Sequence, residues 1–99
     1  MLYITYASGG ETYSDFEVEK FINGYEAVDY KKCDTYIDTS TENIIYAVRV
    51  AIKEGRLDCD YVVLYFDETT VKFDKDAKPM NGNYPSTYFD YALDKLIGI

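Results

Sequence analysis

The stretch Tyr61-Val62-Val63-Leu64-Tyr65-Phe66 decides the fold. Six consecutive apolar and aromatic residues, with β-branched valines among them, read as a strand. Both alternating faces of this strand are apolar, which predicts a central position covered on two sides. Asp67-Glu68-Thr69 then turns the chain, and Thr70-Val71-Lys72-Phe73 returns beside it with Val71 and Phe73 on one face. The run is also the longest apolar one in the chain. It falls far short of the ~20 residues a membrane-spanning helix needs, so no membrane partner is expected.

Upstream lies the clearest helix. Ile44, Ile45, Val48, Ala51 and Ile52 recur at helical spacing. Thr39-Ser40-Thr41-Glu42 has the form of a capping box, and Gly55 closes the segment after Lys53. A first helix is predicted from Ser14, whose hydroxyl and the Glu17 carboxylate form another capping box, with Tyr13 and Val18 as a hydrophobic staple. Phe16, Val18, Phe21, Ile22 and Tyr25 supply its apolar side, and Asn23-Gly24 reads as its stop. Residues 2–7 read as a strand, Ser8-Gly9-Gly10 as a turn and Glu11-Thr12-Tyr13 as a short return strand. Thr35-Tyr36-Ile37 reads as another strand. Residues 74–85 hold both prolines and read as a loop. A last helix is expected over 86–97, with Phe89, Ala92, Leu93, Leu96 and Ile97 on its apolar side. The order predicts an α+β domain: a mostly antiparallel sheet of four or five strands with three helices.

The chain has 99 residues, 47% of them hydrophobic and 28% charged, which fits one globular domain over 1–99 and excludes a disordered chain. It has no histidine and two cysteines, Cys33 and Cys59. A histidine base, a histidine metal ligand and a Ser-His or Cys-His pair are therefore all excluded. The cysteine separation matches no metal knuckle and no redox pair, so both are read as reduced thiols in a cytoplasmic setting. The N-terminal residues lack the basic and apolar segments of a signal peptide. Asp74-Lys75-Asp76 starts like a calcium loop, but Pro79 and Pro85 stand where the glycine and the bidentate glutamate belong. Asp58-Cys59-Asp60 reads as loop polarity, and Gly9-Gly10 is followed by acid rather than lysine, which is no phosphate loop. With no nucleophile–base set, the chain is expected not to be an enzyme and to need no cofactor.

Charge and tyrosine content carry the functional expectation. There are 18 acids against 10 Lys and Arg, a formal charge of −8, which argues against nucleic acid as a direct partner. Residues 1–45 carry nine acids and three bases, net −6; residues 46–99 carry nine and seven, net −2. Glu11, Asp15, Glu17 and Glu19 run together, followed by Glu26, Asp29, Asp34 and Asp38. Such a run is either a solvated face or a duplex-like row of negative charge that engages a basic surface on a protein. Twelve residues are tyrosine and none is tryptophan. Tyr61 and Tyr65 are expected in the core. Tyr25, Tyr30, Tyr36, Tyr84, Tyr88 and Tyr91 are expected at the surface, as interface contacts or as loop anchors.

Asp38-Thr39-Ser40-Thr41-Glu42, Lys53-Glu54-Gly55-Arg56, the hairpin 61–73 and Tyr84-Pro85 through Phe89-Asp90 resemble the C-terminal tail of predicted RecF/OLD-like AAA ATPases. The resemblance covers residues 38–97. It implies an α/β scaffold. Ser40 stands where that family has its switch histidine and no Walker A exists, so ATP hydrolysis is not carried over. In size and charge the chain also resembles small accessory proteins of phages and mobile elements, among them anti-CRISPR and anti-restriction proteins that act as nucleic-acid mimics.

The expectation is an interaction protein that inhibits a nucleic-acid-handling partner. Its contact surface is expected at Glu11, Tyr13, Asp15, Glu17, Glu19 and Tyr25. A small-ligand binder with an aromatic pocket is the alternative, with Arg49, Lys53 and Arg56 as the bases to gather a phosphorylated ligand. A homodimer paired through strand edges is compatible with both.

Overall fold

The structure is a computed structural model that describes residues 1–66 and 68–80. The elements run β1 (Leu2–Glu11), α1 (Asp15–Glu26), β2 (Thr35–Thr39), α2 (Asn43–Lys53), a 3-10 turn (Cys59–Tyr61), β3 (Val62–Phe66) and β4 (Thr69–Val71). The helix expected at 86–97 lies outside the described residues.

The fold is α+β, but its sheet is mixed rather than mostly antiparallel. The strand order is β2-β1-β3-β4. β1 pairs parallel with both β2 and β3, Ile4 standing opposite Ile37 on one side and Leu64 on the other. Only β3 and β4 are antiparallel. The reason lies in the connections. Each of the first two strands is followed by a helix that returns the chain to the amino end of the sheet, and a strand–helix–strand unit yields parallel neighbours.

Leu2 and Ile4 of β1, Ile37 of β2, Val62 and Leu64 of β3 and Val71 of β4 share one face. They form a single core with Val18, Ile22 and Tyr25 of α1 and Ile44, Ile45, Val48, Ala51 and Ile52 of α2. Burying each large aliphatic side chain contributes about 1.5–3 kcal/mol, so this face holds the domain together. Both helices thus cover the same face. Because β2 and β3 flank β1 on opposite sides, the two crossovers run in opposite directions over that face and have opposite hands. One of them is the uncommon left-handed kind.

On the opposite face Val63 of β3 is buried, as expected of a strand covered on both sides, while the tyrosines around it are exposed or half-buried. This face carries a tyrosine ladder. Tyr3 stacks on Tyr36 at 4.8 Å and on Tyr65 at 6.5 Å between ring centroids. Tyr36 is 73% and Tyr65 41% exposed, so Tyr65 is not a core residue. Tyr61, the other tyrosine expected in the core, is half-buried.

Local chemistry explains the element ends. Ser14 and Glu17 close their capping box in both directions. Asn23-Gly24 does not stop α1; the helix continues to Glu26 and caps at Ala27, because Tyr25 is drawn into the core. Phe16 points outward, 74% exposed. The second capping box is not formed. Glu42 caps α2 without a side-chain hydrogen bond. Instead the Asn43 carboxamide oxygen accepts from the Ile44 amide, and the Thr39 hydroxyl accepts from the Thr41 amide. At the other end Gly55, at φ +77°, makes a Schellman turn: its amide donates to the Ile52 carbonyl and that of Arg56 to Ala51.

The turn and return strand expected at 8–13 are one strand with a wide bulge. Tyr6 and Glu11 both pair with Thr39, so residues 7–10 loop outward between them.

Candidate interaction surface

The carboxyl ends of the parallel strands and the amino ends of both helices meet along one edge of the sheet. In open α/β sheets this edge is the usual ligand side. Glu11 ends β1, Asp38 lies one residue from the end of β2, Asp15 and Glu17 stand in the first turn of α1, and Glu42 caps α2. Acids here complement the positive ends of the helix dipoles.

Hydrogen bonds knit the edge. The Asn43 carboxamide donates to the Tyr13 carbonyl at 2.6 Å and to the Asp15 carboxylate at 3.2 Å. The Ser40 amide donates to the Glu11 carbonyl at 2.9 Å. The Tyr6 hydroxyl reaches Glu42 at 3.5 Å. Tyr13 packs half-buried against the core beside these acids. Its hydroxyl is pushed above the ordinary tyrosine pKa by burial first, then by the carboxylates of Glu11, Asp38 and Glu17.

The distribution of ion pairs is polar. Lys31 pairs with Asp58, Lys32 with Asp29, Arg56 with Glu26 and Glu54, and the amino group of Met1 with Asp34. All these pairs lie at the opposite edge, by the amino ends of the strands and the carboxyl ends of the helices. Among the described residues none of Glu11, Asp15, Glu17, Glu19, Asp38 and Glu42 has a basic partner.

Five of the six residues expected at a contact surface are thus brought to this side. Glu11, Asp15, Glu17 and Glu19 are exposed and Tyr13 is half-buried. Glu17 is partly committed, since its carboxylate accepts from the Ser14 amide and hydroxyl. The sixth is not at the surface: Tyr25 is 6% exposed, wedged between Phe21 and Tyr30. Its helical position three residues after Ile22 was the signal for burial. Asp38, part of the acidic run in the sequence but not of the expected contact set, and Glu42, read there only as a helix cap, join Glu11 through the pairing of β1 with β2.

Other expected groups are spoken for. Arg49 is buried, its Nε donating to the Ala77 carbonyl at 2.8 Å with the guanidinium over the Phe73 ring. It therefore cannot gather a phosphorylated ligand with Lys53 and the ion-paired Arg56. Of the tyrosines expected at the surface, Tyr36 is exposed, while half-buried Tyr30 accepts from the Asp58 amide. Tyr84, Tyr88 and Tyr91 lie outside the described residues. Asp74 accepts from the amides of Asp76 and Lys78, which makes it a turn anchor. The ligand atoms of Asp58, Cys59 and Asp60 lie within 4.8 Å of one another. Asp58 accepts from the Asp60 amide and pairs with Lys31, and burial followed by the carboxylates of Asp60 and Asp58 pushes the Cys59 thiol pKa up. Cys33 and Cys59 are free. No helix among the described residues is long and apolar enough to cross a membrane.

No known protein family, curated protein or solved structure matches the chain.

Proposed function

We propose that this chain is a small acidic interaction protein, a non-catalytic inhibitor of a nucleic-acid-handling protein, of the anti-defence type that phages and mobile elements carry. Its acidic edge occupies a basic surface that otherwise grips phosphates. The observation behind the reading is the polarity of the ion pairs: among the described residues, bases neutralise acids at one edge of the sheet and leave them without a basic partner at the other. A solvated acid that already has a counter-ion adds little field, whereas a row of unpaired acids on a rigid edge projects one. Complementary charge raises association rates and fixes register, which suits a mimic.

The test is capture on immobilised protein from a host-like lysate at ~50 mM and ~500 mM salt, which lengthen or shorten electrostatic reach. A nucleic-acid-binding protein held at low salt, released at high salt and displaced by duplex DNA supports the reading. A partner indifferent to salt and to DNA contradicts it.

A second reading, small-ligand binding, draws on a groove of about 490 Å³ between α1 and α2, a volume in the range of ligand pockets. It is not the aromatic pocket expected from the sequence, since Tyr46 is the one aromatic residue of its described lining. Native mass spectrometry of the purified protein separates the two readings by a bound small mass.

A further inference from the structure

The groove between α1 and α2 begins where the acidic edge ends. Val18 and Ile22 of α1 and Ala47 and Val50 of α2 form its floor, and Asp15 and Glu19 stand on its rim. Two side-chain links bound it. At the amino ends Asn43 donates to Asp15, and at the carboxyl ends Arg56 pairs with Glu26. Between these links Ala47 contributes the smallest side chain of the described lining, with Tyr46 beside it. Helices of 12 and 11 residues give the groove about three turns of length.

We propose that this groove docks a basic amphipathic helix of the partner protein. Apolar residues of that helix at i, i+4 and i+7 enter between the helices, and its flanking Lys or Arg meet Asp15 and Glu19. Groove and helix are complementary in two ways. The floor is apolar and matches the anchors of a helix laid in a groove. The rim acids have no basic partner among the described residues, so a cationic flank gains a counter-ion without breaking one. A fully anionic ligand is repelled by the same rim. An apolar centre ringed by charge is also the arrangement in which binding energy concentrates. The inference rests on the acidic-edge reading and adds to it the chemical class of the segment that binds.

The experiment uses two synthetic peptides about fourteen residues long, with equal numbers of lysines. In one, leucines recur at helical spacing; in the other, serines replace them. Affinity is measured by calorimetry and location by amide shifts in the full chain. The leucine peptide is expected to bind about tenfold more tightly than the serine peptide. Its shifts should centre on Val18, Ile22, Ala47 and Val50. Ala47→Gln, which fills the groove with a good helix former, should remove that tenfold advantage and leave the serine peptide unaffected. Val50→Gln provides the same test should Ala47→Gln lose its helical circular dichroism. Equal affinity for both peptides, shifts elsewhere, or indifference to both variants overturns the groove proposal while leaving the acidic edge standing. Failure of both peptides to bind at low salt overturns the two readings together.

Discussion

Gly10 lies directly against Thr39. A Cβ on Gly10 would stand 2.6 Å from the Thr39 carbonyl carbon and 2.7 Å from its nitrogen, closer than real carbons approach. Thr39 is fully buried and pairs with both Tyr6 and Glu11, so it cannot step aside. The contact holds the bulge shut and places Glu11 at the acidic edge.

Gly10→Ala is therefore expected to cost about 1–3 kcal/mol, the usual range for forcing volume into a packed site. Gly9 has open space around its Cβ position, so Gly9→Ala should fall within ~0.5 kcal/mol of the parent. Urea denaturation of the two variants measures the difference.

Tyr25→Phe should be neutral or stabilising by up to ~1 kcal/mol. Among the described residues the Tyr25 hydroxyl is buried with no hydrogen bond of good geometry, Thr35 standing near enough only to ease the rise of its pKa, so its removal ends a desolvation cost rather than a full bond. The ring itself stays between Phe21 and Tyr30. A fall in stability on this change would show that the hydroxyl has a partner in solution.

Arg49→Ala should destabilise by about 2–4 kcal/mol, because it strips a fully buried side chain from the core and leaves the Ala77 carbonyl without its donor. Arg49→Lys keeps the charge but loses the planar group over Phe73, and should fall between the two. Thermal unfolding of the three proteins checks the order.

Tyr3, Tyr13 and Tyr25 all have pKa values raised above the ordinary value of 10, by burial first in each case; Asp34 adds to it for Tyr3 and Glu11 for Tyr13, while Thr35 partly opposes it for Tyr25. Their neutral forms are favoured in the folded state. The stability this represents is fully present below about pH 10, where the unfolded chain also keeps its protons, and is lost as pH rises through the raised folded values. Ultraviolet titration should show tyrosines ionising late, and urea midpoints should fall above pH 10. Tyr13→Phe should reduce that fall.

Much of the helical layer is legible in the sequence. The Ser14–Glu17 box and the apolar stripe of α2 act through contacts within one or two turns, so pattern and spacing reveal them. Strand direction is a long-range property. The apolar run at Tyr61–Phe66 marks an inner strand without saying which way its neighbour points. The helix lying between β2 and β3 was the better signal, since strands that alternate with helices make parallel units. The exposed tyrosine row is a similar case. Val63 is buried on the second face as its pattern implies, yet Tyr65, two residues on, is exposed and stacks in a row with Tyr3 and Tyr36. The acidic run at 11–19 was visible, but its extension to Asp38 and Glu42 depends on the pairing of β1 with β2.

The most direct test of the acidic edge is competition for a partner captured at low salt. The wild-type chain and the combined variant Glu11→Gln, Asp15→Asn, Glu19→Gln, Glu42→Gln are each titrated against that partner bound to duplex DNA. Glu17 is kept because it caps α1. The account predicts that the wild-type chain displaces the DNA at ~50 mM salt and that the variant, folded by circular dichroism, loses at least about tenfold in potency. Equal displacement by both proteins would contradict it.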